Sequence, residues 1–142
     1  MSYVFDASSI LSLTRELGER VIDVVKGNLT ADLALYEIGN ALWKECNLFQ
    51  RLSVEGSVKT LKLISGLLGL MKVVDVRSSH LSIEVLVNAL NLKITYYDAA
   101  YFTLAKKAEA ILITNDERLA EISKKNGVET LGSMEFIKNF FE

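Results

Sequence analysis

Four carboxylates in this chain stand where chemistry could be done: Asp6, Glu37, Asp98 and Asp116. Asp6 closes the β-like run Tyr3-Val4-Phe5, and Asp116 follows the apolar run Ile111 to Ile113 through Thr114-Asn115. Asp98 lies close to the start of a helical stretch, Thr95 to Ala108, and Glu37 a little over one turn into another. In open α/β sheets, sites form in the crevice outside the carboxyl ends of the strands. If Tyr3–Phe5 is a central strand, Asp6 and Asp116 mark one edge, because parallel strands point the same way. Helix starts in βα units lie near that edge too, so all four acids would converge. Two like charges about 4 Å apart repel by roughly 4 kcal/mol at an effective dielectric of 20, so such a set asks for a cation. Oxygen-only ligands suit Mg²⁺ or Mn²⁺. Zinc would want thiolates or imidazoles, and Cys46 and His80, the only residues of their kinds, do not form a set.

Each acid also has a structural role open to it. Asp6 can cap the helix that starts at Ala7. Thr95-x-x-Asp98 and Thr114-x-x-Glu117 are capping-box patterns, with Asp116 favoured by the helix dipole. Glu37 can pair in solvent with Lys44, with which Asn40 completes a polar stripe. His80 falls at a helix start away from these motifs and reads as a surface or capping residue. It is the convergence of the four acids, not any one of them, that points to a site.

The elements that must position them follow from periodicity. Strands are expected at Tyr3–Phe5, Leu29–Ala31, Lys72–Val76, Ile111–Ile113 and Val128–Leu131, where short apolar or β-branched runs meet turn residues. Helices are expected from Ala7, over a short segment from Val21 to Gly27-Asn28, and over Leu33–Leu52, Ser53–Leu70, Ser79–Asn91, Thr95–Ala108, Glu117–Lys125 and Met134–Phe141. The Leu33–Leu52 helix should bury Leu35, Ile38, Leu42, Cys46 and Phe49. The Ser79–Asn91 helix should bury Leu81, Val85, Leu86 and Leu90. On the Thr95–Ala108 helix, Tyr97, Ala100, Tyr101, Leu104, Ala105 and Ala108 share one apolar face. Strands alternating with helices argue a parallel sheet covered on both faces, hence one α/β domain over residues 1–142 with about five strands.

Composition narrows the function classes. At 142 residues and 50% apolar content the chain can bury a real core. Net charge is −2, so no broad basic field advertises nucleic acid, and any contact with it must be local or carried by metal ions. The basic residues are scattered, and only Arg15 and Lys44 are expected near the crevice. The single cysteine excludes a disulfide framework and points to a reducing compartment. Asp6 interrupts the first apolar run, so no signal peptide is expected. The longest apolar stretch, Leu61 to Val76, is broken by Lys62 and Lys72 and is too short to span a bilayer. A cytoplasmic protein is expected. Mean hydropathy of +0.25 is high for a small soluble chain and hints at apolar surface kept for a partner, with the Leu61–Met71 run as the expected source.

The ordered set Asp6-Ala-Ser8-Ser, Glu37-x-x-Asn40-Ala-Leu, Tyr97-Asp98-Ala-Ala-Tyr101-x-x-Leu-Ala105 and Leu112-Ile-Thr114-x-Asp116-x-x-Leu119 resembles the PIN-domain family. Within it the similarity is to the VapC-type ribonuclease toxins of prokaryotic toxin–antitoxin pairs, and it runs from Tyr3 to about Met134. The resemblance implies a three-layer α/β/α fold with strand order 3-2-1-4-5. It implies Mg²⁺- or Mn²⁺-dependent endonucleolytic RNA cleavage leaving 5′-phosphate and 3′-hydroxyl ends. It assigns Asp6, Glu37, Asp98 and Asp116 as catalytic metal ligands, with Ser8, Asn40 and Thr114 in support. It also implies a homodimer and a small VapB-type antitoxin.

Two other readings compete with it. A Mg²⁺-dependent phosphatase or phosphoacceptor module would use Asp6 or Asp75. However, Asp6-x-Ser8 lacks a second aspartate two residues on, no paired acid adjoins the first strand, and Gly66-Leu-Leu-Gly69 is no phosphate loop. The other is a catalytically silent scaffold of the same fold, against which the presence of all four acids argues.

Overall fold

Alternation within strands only three residues long decides the layering. In the computed structural model, which describes all 142 residues, the strands are β1 (Tyr3–Phe5), β2 (Leu29–Ala31), β3 (Lys72–Val74), β4 (Ile111–Ile113) and β5 (Thr130–Leu131). They form one all-parallel sheet in the order β3-β2-β1-β4-β5. Tyr3, Val4 and Phe5 pair with Ile111, Leu112 and Ile113, so β1 and β4 end level with each other. Successive side chains of a strand point to opposite faces. Accordingly Phe5, Ile111 and Ile113 join one apolar cluster, and Val4 and Leu112 join the other.

The first face is covered by α1 (Ala7–Leu17), α2 (Val21–Val25), α3 (Ala34–Trp43), α4 (Val54–Leu68) and α8 (Ser133–Phe141). Ile10, Leu13, Ile38, Ile64, Leu67 and Phe136 are fully buried there. Phe136 meets Phe5 edge-to-face with centroids 5.2 Å apart, docking α8 on the sheet. The second face carries α6 (Tyr96–Ala108) and α7 (Glu117–Lys125), through Tyr101, Phe102, Leu104 and Leu119. The helix α5 (Ser82–Leu92) lies outside this layer and packs Val85 and Ala89 against Ala99 and Ala100 of α6. That gives the three-layer α/β/α arrangement in the expected strand order. No helix is long and apolar enough to cross a membrane.

Several side-chain expectations are overturned. The Leu33–Leu52 helix stops being α-helical at Trp43 and runs out through a π-turn over Lys44–Leu48, before Gln50 at φ 51° ends it. Of its expected stripe only Ile38 and Leu42 are buried; Cys46 is partly exposed, and Leu35 and Phe49 are exposed. The π-turn adds a residue per turn, which rotates the later positions off the stripe. On α5, Leu86 and Leu90 face outward because only one narrow flank meets α6. On α6, Tyr97 and Ala108 are exposed at the helix ends, while every residue from Ala99 to Ala105 is buried between sheet and α5. The apolar surplus is likewise elsewhere than expected. In the Leu61–Met71 run, Ile64, Leu67 and Met71 are buried and Leu70 is exposed. The exposed apolar side chains cluster instead on α3, its π-turn and the start of α4 (Tyr36, Trp43, Leu48, Phe49, Val54 and Val58) and on α5.

Candidate active site

The β1–β4 pair ends in the most constrained carboxylate of the molecule. Asp6 N–H donates to the Ile113 carbonyl at 3.2 Å, which carries the chain one residue past β1 along β4. Asp6 then leaves the sheet in an extended conformation and caps α1, its Oδ1 accepting from Ser9 N–H at 2.9 Å. The Ser8 hydroxyl donates to the same Oδ1 at 2.8 Å, and the Thr114 hydroxyl donates to Oδ2 from the end of β4. The carboxylate is 5% exposed, and burial raises its pKa above the ordinary aspartate value, a shift that the bonds from Thr114, Ser9 and Ser8 oppose. The capping role and a role in a site are therefore held by one residue at once.

Thr114 is a hub. Besides bonding Asp6, its oxygen accepts from Asp116 N–H at 3.1 Å, and Asp116 in turn caps α7 by accepting from Leu119 N–H at 3.0 Å. The expected box from Thr114 to Glu117 does not form, because Asp116 is the cap. Ser8 ties the two strand ends together again by accepting from Asn115 N–H at 3.3 Å. Asn115, absent from the expected set, accepts from Ser133 N–H and hydroxyl at 2.9 and 3.0 Å and so anchors the start of α8.

The helix-borne acids are held differently. Thr95 caps α6 by accepting from Asp98 N–H at 3.1 Å, and the reciprocal backbone half of the box is missing. The half-buried Asp98 carboxylate is raised in pKa by burial, then by the charges of Asp116 and Asp6, and the Thr95 hydroxyl and the charge of Arg118 oppose the rise. Glu37 is half-buried and does not pair with Lys44; its Oε1 accepts from the Tyr101 hydroxyl at 2.8 Å. Burial raises its pKa, the Tyr101 bond opposes this, and the charges of Asp6 and Asp98 add to the rise. These mutual charge effects put Asp6, Glu37, Asp98 and Asp116 in one electrostatic neighbourhood at the carboxyl edge of the sheet.

The remaining expected residues divide. Ser8 and Thr114 contact Asp6 directly. Asn40 lies one turn beyond Glu37, exposed and without a hydrogen bond to any of the acids. Arg15 is not free for the crevice, because it pairs with Glu45; the guanidinium that reaches the acids electrostatically is Arg118, whose Nη2 donates to the Lys93 carbonyl at 2.8 Å. Tyr101 was expected only as core, and a fully buried tyrosine's need for a hydroxyl partner was the signal that could have found it. A cavity of about 210 Å³ opens beside Asp116, lined by Thr114, Asn115, Glu117, Lys124 and Glu135 among others.

The donor set fits a hard divalent cation. All the groups are oxygens, and the three ion pairs of the protein, Arg15–Glu45, Lys107–Glu84 and Lys125–Glu121, include none of the four acids. As placed, no three acids close around a single point. Glu37, Asp98 and Asp116 are exposed enough to swing toward an ion, whereas Asp6 is fixed.

No protein-family model matches the chain. It is 35% identical over 130 residues to a protein named Ribonuclease VapC3 from Pyrobaculum aerophilum, covering 85% of this chain and 94% of that one. It is 33% identical over 132 residues to Exonuclease VapC9 of the same organism, covering 92% and 93%. The crystal structure of PAE2754, also from P. aerophilum, superposes with a TM-score of 0.76 at 27% identity, over 100% of this chain and 91% of that one. With the sheet order, the acids at its edge and relatives matched over nearly their whole length, this chain belongs to the VapC-type PIN-domain family.

Proposed function

We propose that residues 1–142 act as one nuclease domain, a Mg²⁺- or Mn²⁺-dependent endoribonuclease that serves in the cytoplasm as the toxin of a toxin–antitoxin pair. The observation that carries this reading is the set of carboxylates at the sheet edge, none of them in an ion pair, with Asp6 pinned from both strand ends. Asp6, Glu37, Asp98 and Asp116 would hold the cation. A bound divalent cation supplies a water of lowered pKa and neutralises charge on the phosphate oxygens. The protein's share is positional. Ser8, Ser9 and Thr114 hold and aim the Asp6 carboxylate and oppose the rise that burial imposes on its pKa, and Tyr101 does the same for Glu37. Asp98, half-exposed and with fewer donors than Asp6, is the carboxylate best able to change its bonding as the ion and the RNA phosphate arrive. The only histidine, His80, makes no hydrogen bond or ion pair with the acids, and this reading assigns it no role as a base.

The test is cleavage of a circular RNA, which only an endonuclease can open, in the presence of Mn²⁺ or Mg²⁺. Wild type should linearise it and leave 5′-phosphate ends, and Asp98→Asn should be slower by about 10²–10³-fold, the loss of several kcal/mol of charge stabilisation. An Asp98→Asn protein that cuts at the wild-type rate would remove the assigned site. Degradation of linear but not circular RNA would make the enzyme an exonuclease.

The exposed side chains of α3, its π-turn and the start of α4, with those of α5, support partners: a second copy of the chain and a small VapB-type antitoxin. Light scattering at micromolar concentration should give a dimer mass. A strict monomer, with no small protein co-purifying from the host, would count against both.

A further inference from the structure

Tyr101 sits in the middle of the acid neighbourhood without being an acid. It is 1% exposed, on the buried face of α6 three residues after Asp98, and its hydroxyl reaches across to Glu37 on α3, 64 positions away in the chain, at 2.8 Å. The Ala7 backbone N–H lies beside the same oxygen, so the phenol touches the start of α1 as well. The hydroxyl is the donor in this bond, and the carboxylate oxygen accepts. Glu37 has no other hydrogen-bond donor; Lys44 and Asn40, on its own helix, do not contact it.

We infer that Tyr101 is a positioning residue that sets the orientation of the Glu37 carboxylate for cation binding, by holding Oε1 and leaving Oε2 to turn toward the ion. This rests on the acid-site reading above. A half-buried glutamate three bonds from its backbone has several rotamers open to it, and one fixed oxygen removes most of them before the ion arrives. Outer-shell donors of this kind orient ligands in metal sites, and their loss costs about 10–100-fold in metal affinity or activity. The same hydroxyl also joins α3 to α6, so the two helix-borne acids, Glu37 and Asp98, are kept in register by a single contact.

The test is direct binding of Mn²⁺, followed by electron paramagnetic resonance of the free ion, with no RNA present. Tyr101→Phe keeps the ring and the packing, and should weaken Mn²⁺ by about 10–100-fold. Because Tyr101 works through Glu37, Tyr101→Phe should add little in a Glu37→Gln background, which a purely structural role would not produce. RNA turnover should fall in kcat with KM unchanged. Wild-type Mn²⁺ affinity in a folded Tyr101→Phe protein overturns the inference, and so does a full additional loss on top of Glu37→Gln. If Tyr101→Phe does not fold, Glu37→Asp carries the test. It retains the charge but withdraws it from the hydroxyl, and wild-type affinity there overturns the inference equally. Asp98→Asn separates the two levels. If it loses Mn²⁺ while Tyr101→Phe does not, only the role of Tyr101 fails; if neither loses it, the cation site fails as a whole.

Discussion

The acid site is made of two unlike halves. The half carried by the strand ends, Asp6 with Ser8 and Thr114, is buried and saturated with donors. The half carried by the helices, Glu37 and Asp98, is half-open, with Tyr101 donating to Glu37 and the Thr95 hydroxyl beside Asp98. Both halves have carboxylates raised by burial, but only the first is compensated by several hydrogen bonds. A buried anion left short of partners costs more than its bonds contribute when made, so the first half belongs to the fold as much as to the site. The second half can move at little cost. One half supplies a fixed reference and the other supplies adjustable ligands.

The largest effect that would break this contrast is on stability. Thr114→Val keeps the shape but removes the donor to Asp6 Oδ2 and the acceptor for Asp116 N–H. It should destabilise the protein by about 1–3 kcal/mol, the usual cost of orphaning a buried polar group. Asp98→Asn, at a half-exposed carboxylate with the Thr95 hydroxyl as its neighbouring donor, should cost far less and should raise the metal-free melting temperature slightly by relieving repulsion. Urea melts in EDTA decide this: equal losses in the two variants would mean that the halves do not differ.

Much of this arrangement was legible in the sequence because it is local. Apolar runs of three to five residues ending in an acid mark strand ends, and i, i+3, i+4 spacing marks the helices, so a parallel sheet and the edge carrying Asp6 and Asp116 could be reached, while the strand order came only from the resemblance to the PIN-domain family. The link from Tyr101 to Glu37 could not, since two residues 64 apart share no local pattern. Nor could the half-made box at Asp98, because a capping-box spelling does not say whether its second bond, to the Thr95 backbone N–H, forms. Leu35, Phe49, Leu86 and Leu90 were misplaced for a related reason. Periodicity shows that a helix has an apolar face but not whether that face meets the chain's own core or stands open. Arg15 is expected near the crevice, and Glu45 claims it instead.

The smaller effect sharpens the contrast through pH. In the metal-free protein Asp6, Glu37 and Asp98 are raised from 3.8, 4.5 and 3.8 respectively. For a raised carboxylate the folded state binds more protons than the unfolded state between the two values, so stability falls as pH rises through that window. The contribution is fully present below the unfolded values and lost once pH passes the folded ones. Exposed Asp75, lowered chiefly by the Ser78 N–H, runs the other way, its contribution present above the unfolded value and lost as pH falls. Three raised acids against one lowered surface group leave a net decline with rising pH. A cation at 100 times its dissociation constant opposes it by about 2.7 kcal/mol near pH 7–8, and by much less near pH 4, where protons compete for the same oxygens. The halves separate in the slope. Thr114→Val removes the hydrogen bond that most opposes the rise at Asp6, so its folded pKa climbs further and the decline extends to higher pH. Asp98→Asn deletes one raised acid and part of the repulsion on Glu37, so the decline flattens. Melting temperature measured against pH in EDTA should therefore fan out, with Thr114→Val steepest, wild type between and Asp98→Asn shallowest. Parallel curves would mean that the hydrogen bonds at the strand ends do not govern the charge of Asp6, and the fixed half of the site would lose its physical basis.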